Sequence, residues 1–139
     1  MSQPQSEPLI RRVDAIEFSV PSIEAGLAFY RDRLGHELVW RSATAAGLRM
    51  PETNAEIVIQ TERKAEPALL VASADGAAVR MIEAGGTVIV PPHDVPVGRV
   101  VVAEDPWGNR LVLLDLSKGT FVTDADGNVT GVDHQTRDE

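Results

Sequence analysis

The side chains of this chain that could do chemistry fall on alternating positions within short apolar runs. Between Val13 and Val20, Ile16, Phe18 and Val20 take one side and Ala15, Glu17 and Ser19 the other, the pattern of a half-buried strand. Glu17 sits in the middle of that run, where burial would raise its carboxyl pKa and suit it to general base work, which makes it the catalytic candidate. In Ala55 to Gln60 the same alternation sets Glu56 and Gln60 on the face of Val58, and in Arg110 to Leu114 it sets Arg110 on the face of Val112. Facing one cleft, Glu17 and Glu56 would be its carboxylates and Arg110 an anion partner, enough to orient a ligand or move a proton. The competing reading is a set of polar strand faces standing in water, because charged side chains are rarely buried without a partner.

Other candidates have less support. His93 lies in a loop, Pro91 to Gly98, and is either a ligand contact at a cleft mouth or a solvated histidine. Arg99 follows that loop and could meet an anionic ligand or cover a strand end. Trp40 closes a short strand, where it lines a pocket or packs in a core. Trp107, at a turn tip, packs on a neighbouring surface or a partner subunit, and His36 and His134 are surface residues. Asp124, Asp126 and Asn128 resemble calcium ligands in type but not in spacing, since Gly127 comes fourth from Asp124 where a calcium loop needs its glycine sixth. A hairpin around Asp126 and Gly127 fits that segment better. No phosphate-binding glycine loop and no nucleophile elbow is present.

The elements that must position these groups repeat. After the first strand, Ser22 is placed to cap a helix with the apolar stripe Ile23, Leu27, Tyr30 and Leu34, and Gly35 stops it. Short strands follow at Glu37 to Arg41, Gly47 to Met50 and Ala55 to Gln60. Past a polar link, Thr61 to Pro67, the order returns: a strand at Ala68 to Ala72, a cap at Ser73, a helix over Ala74 to Ala84 carrying Ala78, Met81 and Ile82, and strands at Thr87 to Val90, Arg99 to Ala103 and Arg110 to Leu114. Asp105, Pro106 and Gly108 specify a type I turn between the last two. This is an α+β chain of two tandem βαβββ modules, residues 13–60 and 68–115, whose sheets curve into a shared cleft. Residues 1–12 read as a mobile lead and 116–139 as a hairpin followed by a frayed tail.

Bulk properties narrow the function. The chain has 139 residues, 43% hydrophobic and 24% charged, the composition of one globular domain. A net charge of -8, a pI near 4.8 and only 4% aromatic residues oppose a nucleic-acid partner. Cysteine is absent, which removes disulfides, thiolate nucleophiles and cysteine metal sites and suits a cytoplasmic location. No apolar run approaches the roughly 20 residues of a membrane helix, and the first residues lack the pattern of a signal peptide.

The twofold βαβββ order, with FYRDRLGHELVW in the first module, AVRMIEAGGTVIVPP in the second and EDPWGNRLVLLD at the end, resembles the vicinal oxygen chelate superfamily, which includes glyoxalase I, bleomycin-resistance proteins, fosfomycin-resistance enzymes and extradiol dioxygenases. The resemblance implies a cleft in which enzymes hold a divalent metal on the first and last strand of each module. Those places fall on Ala15, near Glu66, and on Val58 and Val112. Alanine and valine supply no donor atom, so three of the four places are empty of ligands. The implied function is a metal-independent small-molecule binding protein, a cytoplasmic homodimer without a cofactor, with Glu17, Ser19, Trp40, Glu56, Val58, Gln60, His93, Arg99, Arg110 and Val112 around the ligand and an apolar floor at Val58 and Val112. The alternative is a vicinal oxygen chelate enzyme, lyase, isomerase or dioxygenase-like. It would use Glu17 as base or a divalent metal relocated onto Glu17, Glu56, Glu66 and His93.

Overall fold

The structure, a computed structural model, describes residues 7–134. The first module contains β1 (Arg12–Ser19), α1 (Ile23–Leu27) with a π-helical continuation at Ala28–Arg33, β2 (Leu38–Arg41), β3 (Ala45–Arg49) and β4 (Glu56–Gln60). The second contains β5 (Glu66–Leu70), α2 (Ala74–Glu83), β6 (Thr87–Val95), β7 (Gly98–Glu104) and β8 (Arg110–Asp115), and a two-stranded hairpin, β9 (Thr120–Thr123) and β10 (Val129–Asp133), follows. Of the expected mobile lead, residues 1–6 lie outside the described residues, while Leu9 packs against the cluster under α2 and the Arg11 N–H donates to Leu70 O at 2.9 Å; of the expected frayed tail, residues 135–139 lie outside them.

One eight-stranded sheet runs β2-β3-β4-β1-β5-β8-β7-β6. In each module the first strand lies parallel to the last, β1 to β4 and β5 to β8, and the modules join where β1 and β5 pair antiparallel. That central ladder sets Ile16 opposite Pro67, flanked by Ala15 opposite Ala68 and Glu17 opposite Glu66. An approximate twofold axis through the Ile16 and Pro67 pair therefore equates Ala15 with Glu66 and Glu17 with Ala68.

Both helices cover the same face. Ser22 Oγ accepts from the Ala25 N–H at 3.1 Å and Ser73 Oγ from the Gly76 N–H at 3.0 Å, the two expected N-caps. Beneath α1, Ile23 and Leu27 meet Ala46, Leu48, Ile57 and Ile59, and beneath α2, Ala74, Ala77 and Ala78 meet Leu69, Val71, Val101, Ala103 and Leu113. Two stripe assignments change. The π-helical turn, in which Leu34 N–H donates to Phe29 O, shifts the register past Tyr30, so Leu34 is 52% exposed while Tyr30 stacks on Phe18 at 5.9 Å. Ile82 is 61% exposed because the three buried alanines bring α2 down on the opposite side.

Strand limits also shift. β5 takes in Glu66 and Pro67 from the expected link. β6 runs through the prolines to Val95, so His93 is a strand residue opposite Val100 and not part of a loop; β6 is an edge strand, and its register shift between Val90 and His93 accommodates Pro91 and Pro92. Between β7 and β8 the Asp105 carboxylate accepts from the N–H groups of Trp107 and Asn109, both at 2.9 Å, and Gly108 adopts φ 91°, which a glycine reaches without strain. Trp107 at that tip is 82% exposed. The β9 to β10 turn repeats this geometry with Asp124 accepting from Asp126 and Asn128, so the acidic cluster of the tail serves a hairpin turn.

Candidate functional site

The face away from the helices holds most of the groups read from the sequence, Arg99 excepted. Its centre is apolar: Ala15, Val58, Ala68, Val102 and Val112 form a buried cluster against which Trp40, Ala45 and Val100 pack. Among the described residues no helix lies on this side, and the curl of the sheet and the Trp40 ring supply the cover. Phe121 of β9 in turn rests on Trp40, ring centroids 4.9 Å apart.

Around this floor stand the charged groups. Glu56 accepts from Trp40 Nε1 at 2.8 Å. The indole reaches it by crossing Gly47, which lies opposite both Trp40 and Val58 in the ladder and has no side chain to block the path; a Cβ there would fall 2.0 Å from Nε1. Burial raises the Glu56 pKa, and the indole hydrogen bond opposes that only in part.

Glu17 and Glu66 face one another across β1 and β5 with side chains 9% and 2% exposed. Two buried carboxylates side by side repel, and Arg63 bridges them and offsets one of the two charges. Its Nε donates to Glu66 Oε1 at 2.7 Å and its Nη2 to Glu17 Oε1. Burial still carries the Glu17 pKa above its ordinary value, with Arg63 pulling the other way and Glu66 adding to the rise. A carboxyl whose pKa is raised is a stronger base when ionised than one in water.

Arg63 belongs to residues 61–65, between β4 and β5, and Gln60 fixes that segment. The buried Gln60 side chain accepts from the N–H groups of Glu62 and Arg63 at 2.7 and 2.6 Å and donates to Arg63 O at 2.8 Å. Gln60 thus binds backbone, and its amide is fully used there. Beside it a surface recess of about 380 Å³ is lined by Ser19, Thr61, Glu62, Arg63, Lys64 and Arg110. Arg110 pairs loosely with Glu104 across the β7 and β8 ladder at 3.7 Å.

The structure thus brings Glu17, Ser19, Gln60 and Arg110 together at one end of the face and Trp40 with Glu56 at the other, with Val58 and Val112 in the floor. Arg99 is elsewhere. It shares the side of Val101 and Ala103, where it clamps Asp75 of α2 at 2.8 and 3.1 Å and Asp94 at 3.1 Å, because strand alternation turns it toward the helix. His93 is exposed, with Nδ1 2.9 Å from Pro91 O. Sequence reasoning missed Arg63, since periodicity says nothing about where an irregular segment points; Gln60 at the end of a strand, followed by a polar run, was the available signal.

Among the described residues, no three histidine or acidic side chains converge on a point that could hold a metal ion. Of the four places the resemblance assigns to a metal, Ala15, Val58 and Val112 lie in the apolar cluster and Glu66 is committed to Arg63. That donor set does not fit a divalent ion.

Known proteins share this architecture. The Mycobacterium tuberculosis methylmalonyl-CoA epimerase aligns with a TM-score of 0.66 and 18% identity over 77% of this chain and 89% of its own. A Streptomyces coelicolor methylmalonyl-CoA epimerase in complex with 2-nitronate-propionyl-CoA gives 0.64 and 17% over 76% and 97%. A Legionella pneumophila protein described as an NAD-dependent benzaldehyde dehydrogenase gives 0.63 and 22% over 73% and 97%. At such identities the likeness is one of fold. No curated protein matches the sequence. A family profile covers residues 12–113, from the first residue of β1 to within two of the end of β8, and so spans both modules and the face they share. The chain belongs to the Glyoxalase/Bleomycin resistance protein/Dioxygenase superfamily.

Proposed function

We propose that this protein binds a small molecule on the sheet face away from the helices, without a metal ion in the superfamily's position, as a cytoplasmic homodimer. One observation carries the reading: the places for a metal hold Ala15, Val58 and Val112, buried in one apolar cluster, while Glu66 is engaged by Arg63. Among the described residues no helix is long and apolar enough to cross a membrane. Elemental analysis of the purified protein, with native mass spectrometry of the same sample, tests the reading. Substoichiometric Zn, Ni, Mn and Fe together with a retained small molecule is the expected result; stoichiometric metal that disappears in Glu66→Gln overturns it. Sedimentation velocity reports on the dimer.

A second reading rests on Glu17, a buried carboxyl with a raised pKa on the same face. It makes the protein a proton-transfer enzyme with Glu17 as base; two proteins of similar fold are named methylmalonyl-CoA epimerases. Deuterium uptake from D2O into methylmalonyl-CoA, lost in Glu17→Gln, would favour this reading over simple binding; absence of exchange removes that substrate.

A further inference from the structure

Resting on the binding role above, we infer that the ligand carries a small oxyanion, a carboxylate or a phosphate, and that this group seats in the recess on Arg63, Lys64 and Arg110. The argument starts from how thoroughly Arg63 is held. Its backbone is fixed by Gln60, a side chain only 3% exposed. The guanidinium is fixed by two buried carboxylates that take one side of the fork, Nε to Glu66 and Nη2 to Glu17. The Arg63 side chain is nevertheless 46% exposed and forms part of the recess wall. Its remaining N–H groups make no hydrogen bond among the described residues, so the outer edge of the fork, the edge that takes an oxyanion through two parallel bonds, is presented already oriented. Orienting an arginine before the ligand arrives removes a large part of the entropy that such a contact costs.

The other lining groups are of matching chemistry. Lys64 has no side-chain hydrogen bond or ion pair among the described residues. Arg110 is held only by the long contact to Glu104 and is 47% exposed. Ser19 adds a hydroxyl donor, whereas the single Thr61 O–H is already directed to Thr44 O and Glu62 at 3.5 and 3.4 Å. Four acids stand nearby, Glu62 in the wall, Glu17 and Glu66 behind Arg63 and Glu104 behind Arg110, so the long-range field is weak. Selection therefore comes from directed N–H contacts at short range, which favours a compact oxyanion over a diffuse negative charge. The rest of the ligand can extend from this end of the face toward Trp40 and Glu56.

A test uses the full chain, labelled with 15N, titrated with inorganic phosphate and separately with sodium propionate at fixed ionic strength. Saturable shifts of the Arg63 side-chain Nε–H and of the amides of Ser19 and residues 61–64 are expected, and the titrant that saturates at lower concentration identifies the head group. The Lys64→Ala/Arg110→Ala double variant, whose lost side chains are exposed, should keep the wild-type spectrum elsewhere and weaken the binding about tenfold or more. Shifts that rise linearly, or that spread over other cationic residues, or an affinity unchanged in the double variant, would overturn the inference. Metal content measured on the same sample separates the two claims: bound stoichiometric metal refutes the metal-free reading whatever phosphate does, whereas a metal-free protein without saturable binding refutes only the oxyanion site.

Discussion

Arg63 is the side chain on which the polar part of the concave face depends. Removing it leaves Glu17 and Glu66 buried and opposed with no cation between them, and losses from stranding a buried charge run to several kcal/mol. Because the arginine is half exposed, water and relaxation soften this, and Arg63→Ala should lower stability at pH 7 by about 2 kcal/mol. The pH dependence has a definite sign. Glu17 already has a raised pKa, so its carboxyl favours the fold most below the ordinary glutamate range and loses that contribution as pH rises through its folded-state pKa. Without Arg63 the pKa rises further, so the deficit of the variant against the wild type shrinks as pH falls through the folded-state pKa, a trend that urea unfolding at several pH values will show. A deficit independent of pH would mean that the ion pairs contribute little.

Two elements make predictions of their own. β3 carries Gly47 where the Trp40 indole crosses to Glu56, and Gly47→Ala must push the ring away. The expected cost is about 1–3 kcal/mol, with a red-shifted Trp40 emission in a Trp107→Phe background that removes the exposed second indole. An unshifted spectrum would show that the indole does not lie across Gly47. At the far end of β8, Asp115 links strand to helix: its carboxylate accepts from the N–H of Ala74 at the start of α2 at 2.8 Å, from the N–H of Arg99 at 2.9 Å and from the Ser117 hydroxyl at 2.7 Å. Burial acts to raise this carboxyl, but the hydrogen bonds outweigh it and the pKa is lowered. A lowered carboxyl stabilises above its unfolded pKa and ceases to as pH falls through the folded one. Asp115→Asn should therefore cost about 2 kcal/mol at pH 7 and progressively less in acid, measured by the same denaturant titration.

As a whole, the molecule is one eight-stranded sheet built from two copies of one plan, joined strand to strand at β1 and β5, followed by the two-stranded hairpin. Each module completes its sheet only against the other, so calorimetry should give a single transition with equal calorimetric and van't Hoff enthalpies, and residues 13–60 expressed alone should not fold; two resolved transitions would contradict this. The sequence by itself determined the plan. Period-two alternation fixed which residues share a face, serine caps and glycine stops bounded the helices, and the match of Val58 with Val112 marked equivalent places in the floor, all because these signals are local and repeat along the chain. Its errors were local too, at the π-helical turn that exposes Leu34 and at the prolines that β6 tolerates as an edge strand. Tertiary structure alone decided what stands opposite what. The antiparallel register of β1 and β5 sets Glu17 against Glu66, and the Gln60 anchor carries Arg63 onto both acids. Those contacts join residues far apart in the chain or set by irregular backbone, and no periodicity encodes them; they exist only once the two modules have closed on each other.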